Sequence, residues 1–528
     1  MANIAIHGSH NASITIEENG EILEIIELER YLNQKNIGIT QYLTAASRHY
    51  VVQDILKYIK KKFSIELFDI CFFSNTDVLE GETRIDISQY IPAKEYISCA
   101  HHEIHAYSSF YQSNDNEALI VSFDGGGSDG FFNIYHATRD KGVELIERYY
   151  IDLGFPYMVF GEYVKDIKKE IDLSRGNLVY SGKLMGLSSY GKVRSEWVDA
   201  FKEFYLFKVD GNNYYELLEI LGNKIDIIFD KSNQLEGQTA WDIVATSQKV
   251  FEDIFIEKTT PFLERYPNIS LHLSGGCALN ILLNTRLKEI LNRKIFVAPN
   301  PSDCGLSVGM ILKHLKPQQP IDITYKGIEA LDKYNLMEFI EEHWSSLEGI
   351  DVIARDILNG NIIGVVRDGA EHGPRALGNR SILCNPSLPD IKDILNYKVK
   401  NREWYRPFAP VVRLEDVSTY FEFEGESRWM GFCPKVKEEW REKLPSITHI
   451  DGTARVQTVT REQNPWLYDL ITEFKQISGI GVLLNTSFNI AGKPIVSTYR
   501  DAIKLYNTSK MDRLLLQDYY FKNKSNQW

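Results

Sequence analysis

The segment Ala118–Ile151, ALIVSFDGGGSDGFFNIYHATRDKGVELIERYYI, decides the fold. It reads as a strand (ALIVSFD), a glycine turn (GGGSDG), a second strand (FFNIYHATRD), a Lys-Gly turn and a third strand (VELIERYYI), because β-rich runs are broken only by turn formers. The opening stretch, Asn3 to Arg30, has the same design. There, IAIHG and ASITIEE lead to Asn19-Gly20 and then EILEIIELER, and Asn-Gly between two such runs is the strongest short hairpin signal. Two meanders, each followed by helical stretches, predict an internal duplication of a β-β-β-α-β-α unit.

That organisation is similar to the actin-like ATPase superfamily (ASKHA, duplicated ribonuclease H-like), so an α/β fold is expected. From Thr239 to Arg265 the spacing of Val244, Val250, Phe251, Ile254 and Phe255 is helical, and SLHLSGGCALN then reads as strand, glycine turn, helix. Between Lys316 and Asn335, KPQQPIDITYKGIEALDKYN loses periodicity and gains proline, which suits a linker. Domains are expected at 1–325 and 335–528. The second begins with a helix (NLMEFIEEHWSSL) and a strand (NIIGVVRDGAE), then mixes helices with short strands (RVQTV, GVLLNTSFNI, RLLLQDYYF), and is α/β as well.

The 528 residues exceed what one core usually supports. With 59 Lys plus Arg against 72 Asp plus Glu, the net charge is −13, which disfavours sequence-blind binding to nucleic acid but leaves room for a local basic pocket. The six cysteines, Cys71, Cys99, Cys277, Cys304, Cys384 and Cys433, form no CxxC pair, so a reducing cytoplasm is expected. The start carries no signal-like pattern and no window reaches the ~18 apolar residues of a membrane span.

Four constellations could carry chemistry. In AHHEIHA, His101 and His105 stand i and i+4, so on a helix they share one face at a spacing a metal ion can bridge. A helix carrying three core or surface histidines would have the same pattern, and no HExxH is present. Asp124, closing a strand before three glycines, sets a carboxylate beside bare backbone N–H groups, as an ordinary glycine hairpin also would. Gly275 and Gly276 sit at a strand-to-helix junction where a nucleotide could approach, without a Walker GK[ST], and Asp303 lies at another such junction. Finally Arg367, Arg375, Arg380, Lys398, Lys400, Arg402, Arg406 and Arg455 are interrupted by Gly, Pro and aromatics, which suits a phosphate pocket better than a solvated helix face.

HNAS (10–13), HHEIHA (101–106), FDGGG (123–127), GKLMGLSSYG (182–191), LSGGCALN (273–280), SDCG (302–305), HGPRALGNRSIL, KNREWYRPFAP, DGTARVQTV and LLNTSFNIAGKPIV follow in order along nearly the whole chain. With them the chain resembles the O-carbamoyltransferases of the nodulation-factor, tobramycin and cephamycin type. The resemblance implies an N-terminal domain like the tRNA threonylcarbamoyltransferase subunit and a C-terminal YrdC-like domain, similar to the enzyme that makes threonylcarbamoyl-adenylate. It implies that carbamoyl phosphate and ATP, with Mg, give carbamoyl-adenylate in the second domain, and that the first passes the carbamoyl group to a hydroxyl of a small molecule such as a sugar or natural product. It further implies His101, His105, Asp124 and Asp303 as ligands of Fe, Mn or Zn. Lys183, Gly275, Gly276 and Asn280 would line the adenylate pocket. Lys400, Arg406 and Arg455, with Arg375, would meet the phosphates, and Asn485 and Ser487 the adenylate.

His10 is the expected proton acceptor for the hydroxyl, against a buried hairpin histidine as the alternative, and Lys35 the expected contact to carbamoyl group or acceptor. Before GPRALG this chain reads Asp-Gly-Ala-Glu-His where the family pattern has a Gly-Arg pair and an aromatic, so either Arg367 takes that cationic role or carbamoyl phosphate is held differently. The acceptor loops Leu173–Tyr180 and Asn212–Glu236 match no known motif. Rival readings are the same chemistry on a hydroxymethylated nucleotide or base, and an actin-like sugar kinase. No membrane partner is expected, and a homodimer is permitted.

Overall fold

The computed structural model describes residues 1–40, 43–74, 89–167, 178–207, 214–342 and 345–522. The chain divides into two units, Met1–Ile323 and Thr324–Trp528.

The first unit holds two five-stranded sheets. One is built from β1 (Ala2–His7), β2 (Ser13–Glu18), β3 (Glu21–Glu27), β4 (Phe68–Ser74) and β5 (Ala93–Cys99), in the order β3-β2-β1-β4-β5. The other uses β6 (Glu117–Phe123), β7 (Phe132–Thr138), β8 (Gly142–Tyr149), β9 (Ser270–Ser274) and β10 (Ile295–Val297), in the order β10-β9-β6-β7-β8. Each has a central first strand, antiparallel to the second and parallel to the fourth. The two sheets are therefore copies of one topology, and the duplicated α/β organisation expected from the two meanders is present. At the first hairpin Asn19 and Gly20 both take positive φ, 51° and 89°, matching the right-handed twist of the flanking strands.

The last strand of each sheet leads into a helix, His101–Tyr111 after β5 and Leu306–Leu315 after β10. These equivalent helices pack on each other. A Cβ on Gly309 would meet Ile104 Cγ2 and lie 2.5 Å from the Ile104 carbonyl oxygen, so glycine is required for this approach. Ile104, Phe110, Leu306 and Ile311 from the two helices are fully buried in one core with Ala118 and Ile120 of β6, each large side chain contributing about 2 kcal/mol of burial.

The second unit is a mixed eight-stranded sheet, β11 (Ser345–Leu347), β12 (Ile363–Val366), β13 (Arg380–Cys384), β14 (Ala409–Arg413), β15 (Gln457–Val459), β16 (Val482–Ser487), β17 (Arg513–Leu516) and β18 (Tyr519–Phe521), in the order β11-β18-β17-β12-β13-β16-β14-β15. One local expectation is corrected. The helix starting at Leu336 ends at Glu342, and Ser345–Leu347, read as its last turn, pairs with Tyr519–Phe521 as an edge strand. Cross-strand pairing outweighs local helical spacing there. Within the stretch read as linker, residues 324–332 run along the second unit: His372 N donates to the Thr324 carbonyl at 2.8 Å, Gly327 N to Ala370 O at 3.0 Å and Leu331 N to Ser497 O at 2.9 Å.

Candidate functional site

In the first unit, the helix His101–Tyr111 begins directly after β5 and its own N-cap, Ala100, offers no side-chain acceptor. The cap comes from the glycine turn after β6. Asp129 accepts His102 N at 2.8 Å and Glu103 N at 3.3 Å, and Ser128 Oγ lies 3.3 Å from His101 N. Gly127 makes room, since a Cβ there would lie 2.8 Å from both His101 Cδ2 and His102 Cδ2. His102 points away from its neighbours' site, with Nδ1 on Ser122 Oγ at 2.8 Å and Nε2 donating to Gly130 O at 2.9 Å.

His101 and His105 turn their Nε2 atoms to each other, 3.2 Å apart. Asp303 Oδ1 is 3.5 Å from each, and Asp124 Oδ2 is 3.6 Å from His105 Nε2. These four ligand atoms all lie within 4.8 Å of one another. Ligands bound at about 2.1 Å to one metal stand roughly 3.0–3.4 Å apart along the edges of its coordination polyhedron, so two imidazoles and two carboxylates fit such an ion. Gly125 N and Gly276 N both donate to the Asp124 carboxylate, which fixes its direction. Gly275, at φ 88°, allows this because a Cβ would run into the Phe123 carbonyl.

The electrostatics favour a cation. Burial would lower His105, but Asp124 and Asp303 override it and raise its pKa to about 9. Burial holds His101 well below its usual value although Asp303 opposes this. For Asp303 burial pushes upward, and His101, His10, His105 and His7 together hold it well below the carboxylate range.

His10 stands at the same place, in the β1–β2 turn equivalent to the glycine turn of the second sheet. Its Nε2 is 3.5 Å from Asp303 Oδ2 and its side chain is 25 % exposed. Its Nδ1 contacts Asn11 Oδ1 at 3.1 Å. Lys35 sits next to this turn, since Asn11 N and Nδ2 donate to the carbonyl and side-chain oxygens of Asn36. Sequence reasoning missed His7, three residues before His10, whose Nε2 is 3.7 Å from Asp303 Oδ2. Burial lowers its pKa to about 4.

Two further expected residues of this unit have the following surroundings. Lys183 is buried on the helix Ser181–Ser188. Asn280 caps the helix Ile281–Ile290 by accepting from Leu283 N at 3.1 Å and pairs amide to amide with Gln248 at 3.0 Å. Residues Leu173–Asn177 and Asn212–Asn213 of the expected acceptor loops lie outside the described residues.

In the second unit, Glu371 organises the GPRALG loop: fully buried, its Oε1 accepts from Leu377 N, Asn379 N and Arg380 N at 2.7, 2.8 and 3.1 Å. Asn485, in the middle of the sheet, donates to Ala376 O at 3.0 Å and Gln457 Oε1 at 2.7 Å, which ties that loop to ARVQT. Arg375, Arg402, Arg406 and Arg455 gather here. Burial and then repulsion from Arg375, Arg402 and Arg406 hold Arg455 well below its usual value, and burial and Arg406 lower Arg375 to about 10. Arg402 is anchored by Asn396 Oδ1 at 2.7 Å and over the Phe408 ring at 4.2 Å. Glu403, 3.4 Å from Arg406 Nη1, offsets part of this charge. Guanidiniums near enough to lower one another's pKa are the kind of group that could hold a polyanion.

Lys400 ends a π-helical turn, Ile394–Lys400, and its buried ammonium donates to Ser487 O, to Ser487 Oγ at 3.1 Å and to Asn489 Oδ1 at 2.7 Å. Asn489 was not foreseen, although it belongs to the same LNTSFN stretch. Two members of the basic set make contacts within the fold. Arg367 bonds Gln517 O and Asp518 Oδ1 (2.8 Å) and lies over Trp466 at 5.2 Å. Arg380 is fully buried and donates to the carbonyls of Arg367, Asn379 and Asp368, a structural task.

Comparison with known proteins identifies the family of both units. The carbamoyltransferase N-terminus family matches residues 9–312 and the carbamoyltransferase C-terminus family residues 354–523. An uncharacterized protein of Synechocystis sp. is 30 % identical over 93 % of this chain and 84 % of its own length. Nodulation protein NolO of Bradyrhizobium diazoefficiens is 33 % identical over 79 % of this chain and 77 % of its own, and nodulation protein U of Sinorhizobium fredii 26 % over 92 % and 93 %. Among solved structures, full-length HypF in a phosphate- and nucleotide-bound form is similar at a TM-score of 0.37 and 16 % identity, covering 60 % of this chain and 55 % of that one. The chain belongs to the carbamoyltransferase family. It is an enzyme, a carbamoyltransferase. Among the described residues, no helix is long and apolar enough to cross a membrane.

Proposed function

We propose that this chain is an ATP-dependent O-carbamoyltransferase working in two half-reactions. In the second unit, carbamoyl phosphate, ATP and one water would give carbamoyl-adenylate, phosphate and pyrophosphate. Arg375, Arg402, Arg406 and Arg455 would hold the phosphates, and Lys400 with Ser487 and Asn489 would orient the anhydride being formed. With Arg367 paired to Asp518, the arginine cluster would be the cation set for the carbamoyl donor.

In the first unit, an acceptor hydroxyl of a small molecule would attack the carbamoyl carbon; the new C–O bond forms, the carbamoyl–phosphate oxygen bond breaks, and AMP leaves with the electron pair. With Nδ1–H donating to Asn11 Oδ1, His10 presents the Nε2 lone pair, which would take the hydroxyl proton. His101, His105, Asp124 and Asp303 would hold a divalent Fe, Mn or Zn ion, which when bound supplies Lewis acidity at the carbamoyl or adenylate oxygens. A sugar or natural product as acceptor is favoured over a nucleic-acid base by the net charge of −13. The cytoplasm is the compartment that fits the six unpaired cysteines.

The observation that supports this reading is the pair of clusters, mutually repelling arginines in one unit and two imidazoles with two carboxylates in the other. The test is pyrophosphate release from ATP, which should require carbamoyl phosphate. Formation of ADP and a phosphorylated sugar would instead identify a kinase.

A further inference from the structure

We propose that His7 is a positioning residue that fixes the turn carrying His10 against Asp303. The inference rests on reading His10 as the proton acceptor of the transfer step. His7 ends β1 with its ring fully buried. A buried ring nitrogen without a partner would cost about 1–3 kcal/mol, and both nitrogens have one. Nε2 lies 3.1 Å from the His10 carbonyl and Nδ1 2.9 Å from Ser74 Oγ.

The network assigns the tautomer. A carbonyl oxygen only accepts, so Nε2 carries the hydrogen; the neutral ring's Nδ1 must then accept from the Ser74 hydroxyl. His7 thereby links the end of β4 to the main chain of the residue whose ring meets Asp303. Asp303 Oδ2 is bracketed by two imidazoles, the rigid His7 at 3.7 Å and the part-exposed His10 at 3.5 Å.

The rest of the turn is held from the other side. Gly8 O accepts from Ile39 N at 2.7 Å and from Thr40 N and Oγ1 at 3.0 Å, and Ala12 N donates to Ile37 O at 3.1 Å. Asn11, at a left-handed φ of 57°, is tied to Asn36 through N and Nδ2, and the His10 carbonyl just before it is held by His7. Loss of that bond leaves the His10 peptide held only through Asn11, and a misplacement of about 1 Å can cost 10²-fold in rate.

The test uses the full metal-loaded chain with His7→Leu, His7→Asn and His7→Gln. Glutamine can still donate from its amide to the His10 carbonyl, asparagine can accept only from Ser74, and leucine can do neither. Crystal structures should show the His10 ring displaced from Asp303 by about 1 Å or more in the leucine and asparagine variants and in place in the glutamine variant. AMP release from carbamoyl-adenylate, with water as acceptor, should fall about 10- to 100-fold in the first two and stay within about threefold in the third, with bound metal unchanged in all. If the leucine variant refolds poorly, Ser74→Ala, which removes the donor to Nδ1, should show a smaller displacement. An unmoved His10 in the leucine variant, or equal loss in leucine and glutamine variants, overturns the proposal. His10→Ala in the same assay separates the two ideas: retained AMP release there, with His10 displaced in His7→Leu, refutes the proton acceptor and leaves the positioning role intact.

Discussion

Asp129 accepts the backbone N–H of His102 at 2.8 Å, so the glycine turn after β6 caps the helix that carries His101 and His105. The same turn starts with Asp124, which faces His105 across 3.6 Å. One eight-residue loop thus supplies a candidate metal ligand and orients the helix bearing two others.

Removing that cap should affect both stability and the metal centre. Asp129→Ala is expected to cost about 1 kcal/mol, the usual price of a lost N-cap, and to lower metal affinity about tenfold through the displaced histidines. Urea unfolding and metal content per chain after dialysis check the two parts. Asp129→Asn, which keeps an acceptor oxygen, should recover most of the stability.

Gly309→Ala tests the crossing of the two equivalent helices. Its Cβ would press on Ile104 Cγ2 and the Ile104 carbonyl, backbone that cannot yield without shifting the helix of His101 and His105. A destabilisation of about 1–3 kcal/mol is expected, measured by calorimetry on the first unit's transition, together with reduced metal content.

The two half-reactions should separate by mutation. His101→Ala should abolish carbamoyl transfer while carbamoyl-dependent pyrophosphate release persists. Lys400→Ala should lose pyrophosphate release yet still consume supplied carbamoyl-adenylate. Equal loss of both activities in both variants would refute two separate sites.

For the arginine cluster, Arg455→Ala should lower kcat/KM for carbamoyl phosphate about 100-fold, the worth of two or so charge-assisted hydrogen bonds. Folding stability should hold or rise, because a guanidinium repelled by Arg375, Arg402 and Arg406 is removed. Inorganic phosphate should raise the Tm of the native chain and do so much less in the variant.

Asp152 provides a pH signature. Its carboxylate caps the helix Gly154–Val159, accepting from Gly154 N and Phe155 N at 2.8 and 3.0 Å, and accepts from Tyr214 OH at 2.9 Å. Burial raises its pKa to about 6 from an ordinary 3.8. The folded chain therefore holds a proton that the unfolded chain has already lost across that window, and stability falls as pH rises from 4 to 6 and is level above. Asp152→Asn should match the native chain near pH 4 and exceed it by about 1–3 kcal/mol at pH 7, read from urea midpoints at both pH values.

Much of the fold was legible because its signals are local. Asn19-Gly20 and the glycine turn after Asp124 mark two meanders, and the i, i+4 spacing of His101 and His105 needs only a helix to bring two imidazoles together. Where local signals competed with pairing, as at Ser345–Leu347, the partner strand decided. The basic set could not be sorted from sequence, since nothing in spacing says that Arg367 meets Asp518, that Arg380 serves three carbonyls, or that Arg375, Arg402, Arg406 and Arg455 converge. Nor could spacing reveal that Asn280 is occupied by Gln248.

By itself, the sequence determined the repeated β-β-β-α-β-α pattern, the helix with its paired histidines and the glycine turns, all set by backbone propensity and side-chain periodicity within short windows. Only the tertiary structure brought Asp124 and Asp303, nearly two hundred residues apart, to the same two imidazoles, and set His7 and His10 on the far oxygen of Asp303. The reason is the duplicated topology. It joins the ends of β1 and β6 and the starts of two equivalent helices, and close approach at Gly309 holds them at ligand distance.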